Sequence, residues 1–516
     1  MAGHEVTELP GWAGALPSRH FSGFLEVHAA QWHYHLTEAE VEDPARAPLV
    51  LYCSGGPGGS SFSTGFRGFG QFRLDERSLA GEAYEASGVP QLQKHEYGWT
   101  TKYNVLAWEC PPGVGFSFCA DPAERMGWTD QKTAEHSATF LEAFVAAHPA
   151  YQGRQFVVLG ASYAGIYVPM LAEEILKRKD AGGFPLELTA IGAGNSVSAA
   201  APFASSSGSI KEATAQVVGH FPNASGLPAV HDLPNNAIAL IDFYWRHQMF
   251  SEELYRRIRG NYTDDELDFP DEECAALLRE MRDEMGPFYS YNIYELRNDH
   301  EAMTGNSNGT GTGYPAGYEA AFAEWVDQVA VRKALNIDEI YPKDWAWDES
   351  RMDPATGDEA AEWYPFGHEI WLRDGPDKGH ADPRHNPQDH PHWDAAQRAV
   401  DMRPLYLDLA QRLRVVIYSG DVDAQVPPPG SERWVRGLGL AEEERWRPWV
   451  VGGVVAGGVT AYDVPDAVDG VGISFVTLRG AGHGVPQHRP QATLAMLGAM
   501  VAGGPLPRLP PSQGRL

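Results

Sequence analysis

Basic residues are scarce in this chain, and their scarcity excludes whole classes of partner. Lys and Arg number 40 against 69 Asp and Glu, a formal net charge of −29 at pH 7. Nucleic acids and anionic membrane surfaces need basic patches, so neither is expected here. Such a surface suits an acidic compartment, where partial protonation of carboxylates lowers self-repulsion. Cysteine is nearly as sparse. Four residues, Cys53, Cys110, Cys119 and Cys274, are too few for a disulfide-dense scaffold. None shows metal-site spacing, and Cys53 reads as a reduced core residue of an apolar strand. No apolar run approaches the ~20 residues of a spanning helix. The opening M-A-G-H-E-V-T-E-L-P-G-W-A-G-A-L-P has no basic n-region and no apolar h-region, so no signal peptide is read there. The compartment stays open, and three glycosylation sequons at Asn223, Asn261 and Asn308 would matter only in a secreted protein.

What is present is the composition of a folded protein: 43% hydrophobic, 21% charged, with 15 Trp, 21 Tyr and 21 Phe for a large core and aromatic-lined pockets. A length of 516 residues accommodates one elaborated α/β domain or two to three ordinary ones. The most informative stretch is Gln155 to Tyr167, Q-F-V-V-L-G-A-S-Y-A-G-I-Y. Phe156 to Leu159 is a short apolar run, β-branched at its centre, as in a buried parallel strand. Ser162 follows inside a G-x-S-x-G pattern, and Tyr167, Met170, Leu171, Ile175 and Leu176 then fall at helical spacing. Strand, sharp turn and helix are the context of a nucleophile elbow, with a helix N-cap serine as the plainer alternative.

Further strands are expected over F-S-G-F-L-E-V and Q-W-H-Y-H-L-T-E, paired antiparallel, and over Ala47–Tyr52, Tyr103–Glu109, Leu188–Gly194, Leu413–Tyr418 and Ile473–Leu478. Helical periodicity covers Thr133–His148, Leu405–Leu413 and Ala492–Ala502. Alternating strands and helices indicate a mostly parallel, doubly wound sheet. Composition shifts after Ser198 to acidic, Tyr-rich helical segments such as S-E-E-L-Y-R-R-I, capped by Ser251. Residues 199–312 are therefore read as a cap insertion, and 1–198 with 313–516 as the α/β core. The Trp345–Trp393 stretch holds His368, His380, His385, His390 and His392, but at spacings that favour a solvated loop over a metal site.

Three strands each deliver one chemistry-bearing residue to their C-terminal end, where open α/β sheets gather ligands. These are Ser162, an aspartate after Gly420, and His483, in the order Ser, Asp, His. A serine hydroxyl becomes a nucleophile when an imidazole takes its proton, and a carboxylate orients that imidazole. Asp423 is preferred over Asp421, which has an alternative role as a turn or cap residue. The loop Ser54-Gly55-Gly56-Pro57-Gly58-Gly59-Ser60-Ser61 follows another strand. No Gly-Lys-Ser/Thr follows it, which disfavours phosphate binding. An oxyanion hole built from the backbone N–H groups of Gly56 and Tyr163 fits better.

At this point the chain resembles the serine carboxypeptidase family, which includes plant serine carboxypeptidase-like acyltransferases. The resemblance runs from about Phe21 to Leu497. It rests on S-G-G-P-G-G-S-S (54–61), N-V-L-A-W-E-C-P-P-G-V-G-F-S (104–117), G-A-S-Y-A-G-I-Y-V-P (160–169), D-M-R-P-L-Y (401–406), Y-S-G-D-V-D (418–423) and G-A-G-H-G-V-P (480–486). It implies an α/β-hydrolase fold with a helical cap and a Ser162, Asp423, His483 triad. It also implies a vacuolar, lysosomal or secreted location, the family's usual ones.

The departures matter more. The family's Asn, and the two Glu residues that bind a substrate's terminal carboxylate, correspond here to Ser54, Gly68 and Ala161. Gly59 replaces a cysteine of a family disulfide, which is consistent with a reducing compartment. Each lost hydrogen bond to a charged group costs roughly 1.5–3 kcal/mol. Ser54 retains a hydroxyl donor beside Gly55. Arg67 or Arg73 would supply a charge-assisted replacement, against the alternative of a solvated surface charge. The expected activity is serine-type carboxypeptidase, with acyltransferase or esterase as the alternative and a binding protein on the same fold as a third. The expected partner is a peptide or acyl-ester substrate. No cofactor and no metal are expected, and a homodimer is left open.

Overall fold

The computed structural model describes residues 4–56, 58–119, 128–198, 236–262, 272–285, 292–294, 318–338, 402–468 and 470–509. Fourteen strands occur among them: β1 (Glu5–Val6), β2 (His20–Val27), β3 (Ala30–Thr37), β4 (Leu49–Cys53), β5 (Phe72–Arg73), β6 (Gln93–Lys94), β7 (Asn104–Trp108), β8 (Phe118–Cys119), β9 (Arg154–Ala161), β10 (Leu186–Gly194), β11 (Arg414–Gly420), β12 (Glu442–Val451), β13 (Val454–Tyr462) and β14 (Gly472–Leu478). The main sheet runs β1-β2-β3-β7-β4-β9-β10-β11-β14-β13-β12, with β8 added on β3, while β5 and β6 form a separate ribbon. From β7 to β14 every neighbouring pair is parallel, and the pairs outside that block are antiparallel.

The periodicity of the strands explains the layers. In β9, Phe156 and Val158 pack with Phe140, Phe144, Leu171, Ile175 and Tyr406 on one face. Val157 and Leu159 pack with Tyr418, Leu497 and Met500 on the other. Alternate side chains of one strand thus feed two cores, which is why the run is continuously apolar. The first face is covered by α1 (Asp130–Ala147) and α2 (Ala164–Ala181). The Thr129 side chain caps α1 by accepting the Lys132 N–H at 3.1 Å.

Helices α3 (Asn236–Arg246), α4 (Glu252–Asn261) and α5 (Glu272–Met285) lie in the expected cap insertion. Ser251 caps α4, its hydroxyl accepting the Leu254 N–H at 3.3 Å. These helices share a small core of their own, with Phe243, Tyr244, Leu254, Ile258 and Leu278, which is completed by Val422 and Ala424. Helix α6 (Tyr318–Asp327) instead packs Phe322 and Trp325 on Phe62 and Phe66. Helices α7 (Arg403–Ala410), α8 (Pro428–Arg436) and α9 (Pro490–Ala502) complete the layers. Both expected borders of the cap, and the histidine-bearing 345–393 stretch, fall on or against residues outside those described. Among the described residues, no helix is long and apolar enough to cross a membrane.

The β12–β13 hairpin is absent from the sequence-level reading. Its signal is the Gly452-Gly453 pair between two apolar runs, and both glycines have positive φ, 58° and 81°, as a tight two-residue hairpin turn requires.

Leu159 is fully buried at the centre of the sheet. Leu159→Ala should lower unfolding free energy by about 2–5 kcal/mol, read from urea denaturation midpoints at unchanged m-value.

Candidate active site

Strands β4, β9, β11 and β14 end at one edge of the parallel block, with only β10 interleaved. Each continues into a loop carrying one part of the site. After β9 the chain reverses sharply into α2, and Ser162 adopts a left-handed backbone with φ 62°. That conformation costs an L-residue on the order of 1–2 kcal/mol, so the surroundings must impose it. The Ser162 N–H donates to Gly194 O at 3.0 Å, while Ser162 O accepts from Gly165 N at 2.9 Å and Val197 N at 3.0 Å.

After β11, Asp423 is fully buried. Its Oδ2 lies 2.8 Å from His483 Nδ1 and its Oδ1 accepts the Gln425 N–H at 2.8 Å. Asp421 faces elsewhere: its Oδ1 accepts the Gly480 N–H at 2.5 Å, bracing the turn after β14. Burial pushes the Asp421 carboxyl up. The loops bearing Asp423 and His483 approach because residue 420 is glycine; a Cβ there would lie 2.3 Å from Ala481 O.

The glycine loop after β4 presses on the elbow. A Cβ on Gly55 would fall 2.5 Å from the Tyr163 nitrogen and 2.8 Å from Ser162 Cβ, so only glycine permits this approach. Gly56 takes φ 116°, and the Gly59 N–H closes the loop on Gly55 O at 2.7 Å. Beneath it sits a carboxylate that motif reasoning passed over. Glu109 is fully buried, and its Oε1 accepts from Ser60 Oγ at 2.5 Å and its Oε2 from Phe116 N at 2.5 Å. His33 Nδ1 stands 3.3 Å from the same carboxylate. The available signal was an acid placed directly after the wholly buried strand N-V-L-A-W.

The expected substrate-binding residues separate. Ser54 Oγ is 2.8 Å from Thr64 Oγ1, which in turn accepts from Arg67 Nη2 at 3.3 Å, so loop and arginine form one polar line. Arg67 also neighbours His488; burial first, then the Arg67 charge, lowers that imidazole to about 4. Arg73 lies on the β5–β6 ribbon, near Asp75, Arg77 and His95. Ala161 and Gly68 provide no polar side chain, and a Cβ on Gly68 would lie 3.1 Å from Gln487 N, against the His483 loop.

A parallel sheet with catalytic-type loops at its carboxyl edge has a solved counterpart. Kex1(delta)p, a prohormone-processing carboxypeptidase from Saccharomyces cerevisiae, superposes with a TM-score of 0.62, covering 97% of this chain and 96% of that one at 15% identity. The fold is that of the α/β hydrolases. The family model described as serine carboxypeptidase matches residues 10–363 and 385–503, and the chain belongs to that family. Among curated relatives, serine carboxypeptidase 1 of Hordeum vulgare is 27% identical over 98% of this chain and 93% of its own length. Serine carboxypeptidase-like 22 of Arabidopsis thaliana is 28% identical over 95% and 90% respectively.

A second unforeseen carboxyl adjoins the elbow. Both oxygens of Asp130 lie 3.1 Å from Tyr163 Oη. Burial pushes this carboxyl up from 3.8 to about 6, opposed by the tyrosine hydrogen bond. A raised carboxyl pKa favours the folded state while the group is protonated. That contribution is complete below pH 3.8 and is lost as pH rises through about 6. The difference corresponds to about 3 kcal/mol. Asp130→Asn should therefore melt higher than the parent at neutral pH, with the gap closing near pH 4; equal gaps at both would show the carboxyl is not buried as described.

Proposed function

We propose that this chain is a serine-type carboxypeptidase that releases C-terminal residues from peptides through an acyl-enzyme. The observation that carries the reading is the pairing of buried Asp423 with partly exposed His483, 2.8 Å apart, on the same sheet edge as the strained Ser162. Ser162 Oγ attacks the scissile carbonyl while His483 Nε2 takes its proton, and Asp423 holds the Nδ1–H tautomer and offsets the imidazolium charge. The new alkoxide is received by backbone N–H groups of Gly56 and Tyr163, worth roughly 3–4 kcal/mol per donor. His483 returns the proton to the departing amine, and water then repeats the sequence on the acyl-enzyme.

Terminal-carboxylate recognition falls to Arg67, with Ser54 and Thr64 alongside it. Arginine keeps its charge at every relevant pH, so this anchor does not require acid conditions. The missing carboxyl side chains at Gly68 and Ala161 favour a second reading, in which an alcohol or amine replaces water, or an ester replaces the peptide.

An active-site phosphonate should label the protein and fail to label Ser162→Ala; an unlabelled, well-folded parent would sink both readings. Blocked dipeptides with free and amidated C-termini, assayed from about pH 4 to 8, then divide them. The carboxypeptidase reading expects preference for the free acid, with Arg67→Ala raising KM for it about 10- to 100-fold. Equal turnover of both, with activity on simple esters, selects the second reading.

A further inference from the structure

Asn195, with the preceding Gly194, contacts the structural supports of all three groups. It follows β10, the strand lying between those of Ser162 and Asp423. Its side chain is fully buried. Nδ2 donates to His483 O at 2.8 Å and to Gly482 O at 3.1 Å, while Oδ1 accepts the Gly420 N–H at 2.8 Å. The amide therefore spends both donors on the loop of the base and its oxygen on the strand end of the acid. A flipped amide would set oxygen against two carbonyls, so the contacts fix its orientation. The backbone adds the third tie. Asn195 N donates to Tyr418 O at 2.8 Å, and the preceding Gly194 O accepts the Ser162 N–H at 3.0 Å.

We propose that Asn195 is a positioning residue that sets the registry of His483 and Asp423 against Ser162. The inference rests on the catalytic reading of those three residues. Without this amide, three carbonyl and N–H groups at a buried junction lose this partner. The two loops keep the Asp423–His483 bond, the Val422 N–H bond to Ala481 O at 3.0 Å and the Gly480 N–H bond to Asp421 Oδ1 at 2.5 Å, none of which ties the His483 backbone itself. A displacement of about 1 Å between nucleophile and base is enough to cost about 100-fold in rate. Asparagine is also tolerated at the left-handed φ of 41° found here, which gives a simpler reason for its presence.

Asn195→Gly separates the two, because glycine keeps the left-handed backbone and removes only the amide. The expected result is a fall in kcat of about 100-fold with KM changed less than about 3-fold, in protein that still melts cooperatively. Asn195→Asp gives a second signature. Its buried carboxyl, facing two carbonyl oxygens, is held protonated at acid pH and donates one bond, then ionises and loses it. Its activity relative to the parent should fall as pH rises from about 4.5 to 8, whereas that of Asn195→Gly should stay flat. Near-parental kcat in Asn195→Gly, or flat and equal ratios for both variants, would overturn the proposal. The downfield proton resonance of the Asp423–His483 bond is read without substrate, in parent and Asn195→Gly. It should shift or vanish in the variant; an unchanged resonance also counts against positioning. Because it needs no turnover, it judges Asn195 even if Ser162→Ala proves fully active and the catalytic reading falls.

Discussion

A serine held in left-handed backbone at the end of a buried strand is the constraint on which the site depends. The turn that lifts Ser162 out of the sheet leaves its amide and carbonyl outside the regular ladder. The β10 connection takes up both, through Gly194 O and the Val197 amide, and the Gly165 amide in the first turn of α2 adds a second bond to the carbonyl. Strand β10 is therefore no passive spacer between Ser162 and Asp423. It supplies the acceptor that stabilises the elbow and, one residue later, the amide that braces the opposite loops. The glycine loop then closes on the elbow from the other side, at a distance no Cβ would allow.

The local pieces of this design are legible in the sequence because each is written in consecutive residues. Strand, turn and helix around Ser162, the glycine loop, and the Asp and His loops after apolar runs all carry their geometry in short patterns. The strands read from those runs recur in the fold with ends displaced by a residue or two, as hydrogen-bond boundaries commonly are. What stays hidden are polar residues whose partners are distant in sequence. Glu109 meets Ser60, Asp130 meets Tyr163, and Asn195 meets Gly420 and His483. Nothing near any of the three announces a partner, and an isolated Asn or Asp reads as a turn or cap. The β12–β13 hairpin is hard to read for a different reason: the strand before its Gly-Gly turn has its apolar alternation broken by Arg445, Arg447 and Pro448.

Helices α3 to α5 and the Asp423 loop share one core. Val422 and Ala424, on either side of Asp423, are core residues of the helices α3 to α5. The residues flanking the Asp423 carboxylate are thus packed against these helices, and a buried carboxylate interacts more strongly with the imidazole it faces. The substrate edge follows the opposite pattern. Around Gly68 and Ala161 the chain has removed side chains, leaving a hydroxyl line from Ser54 through Thr64 to Arg67 as the polar feature. The Asp423–His483 pair and the Ser54–Thr64–Arg67 line are built from separate loops of this edge, so one can change while the other is kept.

The sheet order also bears on how the protein comes into being. Strand β10 ends at Gly194, yet its parallel neighbour β11 begins only at Arg414. In chain order the strands from β1 to β10 all precede β11, so the β10 edge finds its partner only in a much later segment. Such non-local parallel pairing slows folding and prolongs exposure of an edge that other chains can join. None of the four cysteines is disulfide-bonded, so no covalent crosslink stabilises the earlier half. The stability of the β10 edge is thus a long-range property, acquired only when β11 pairs with it.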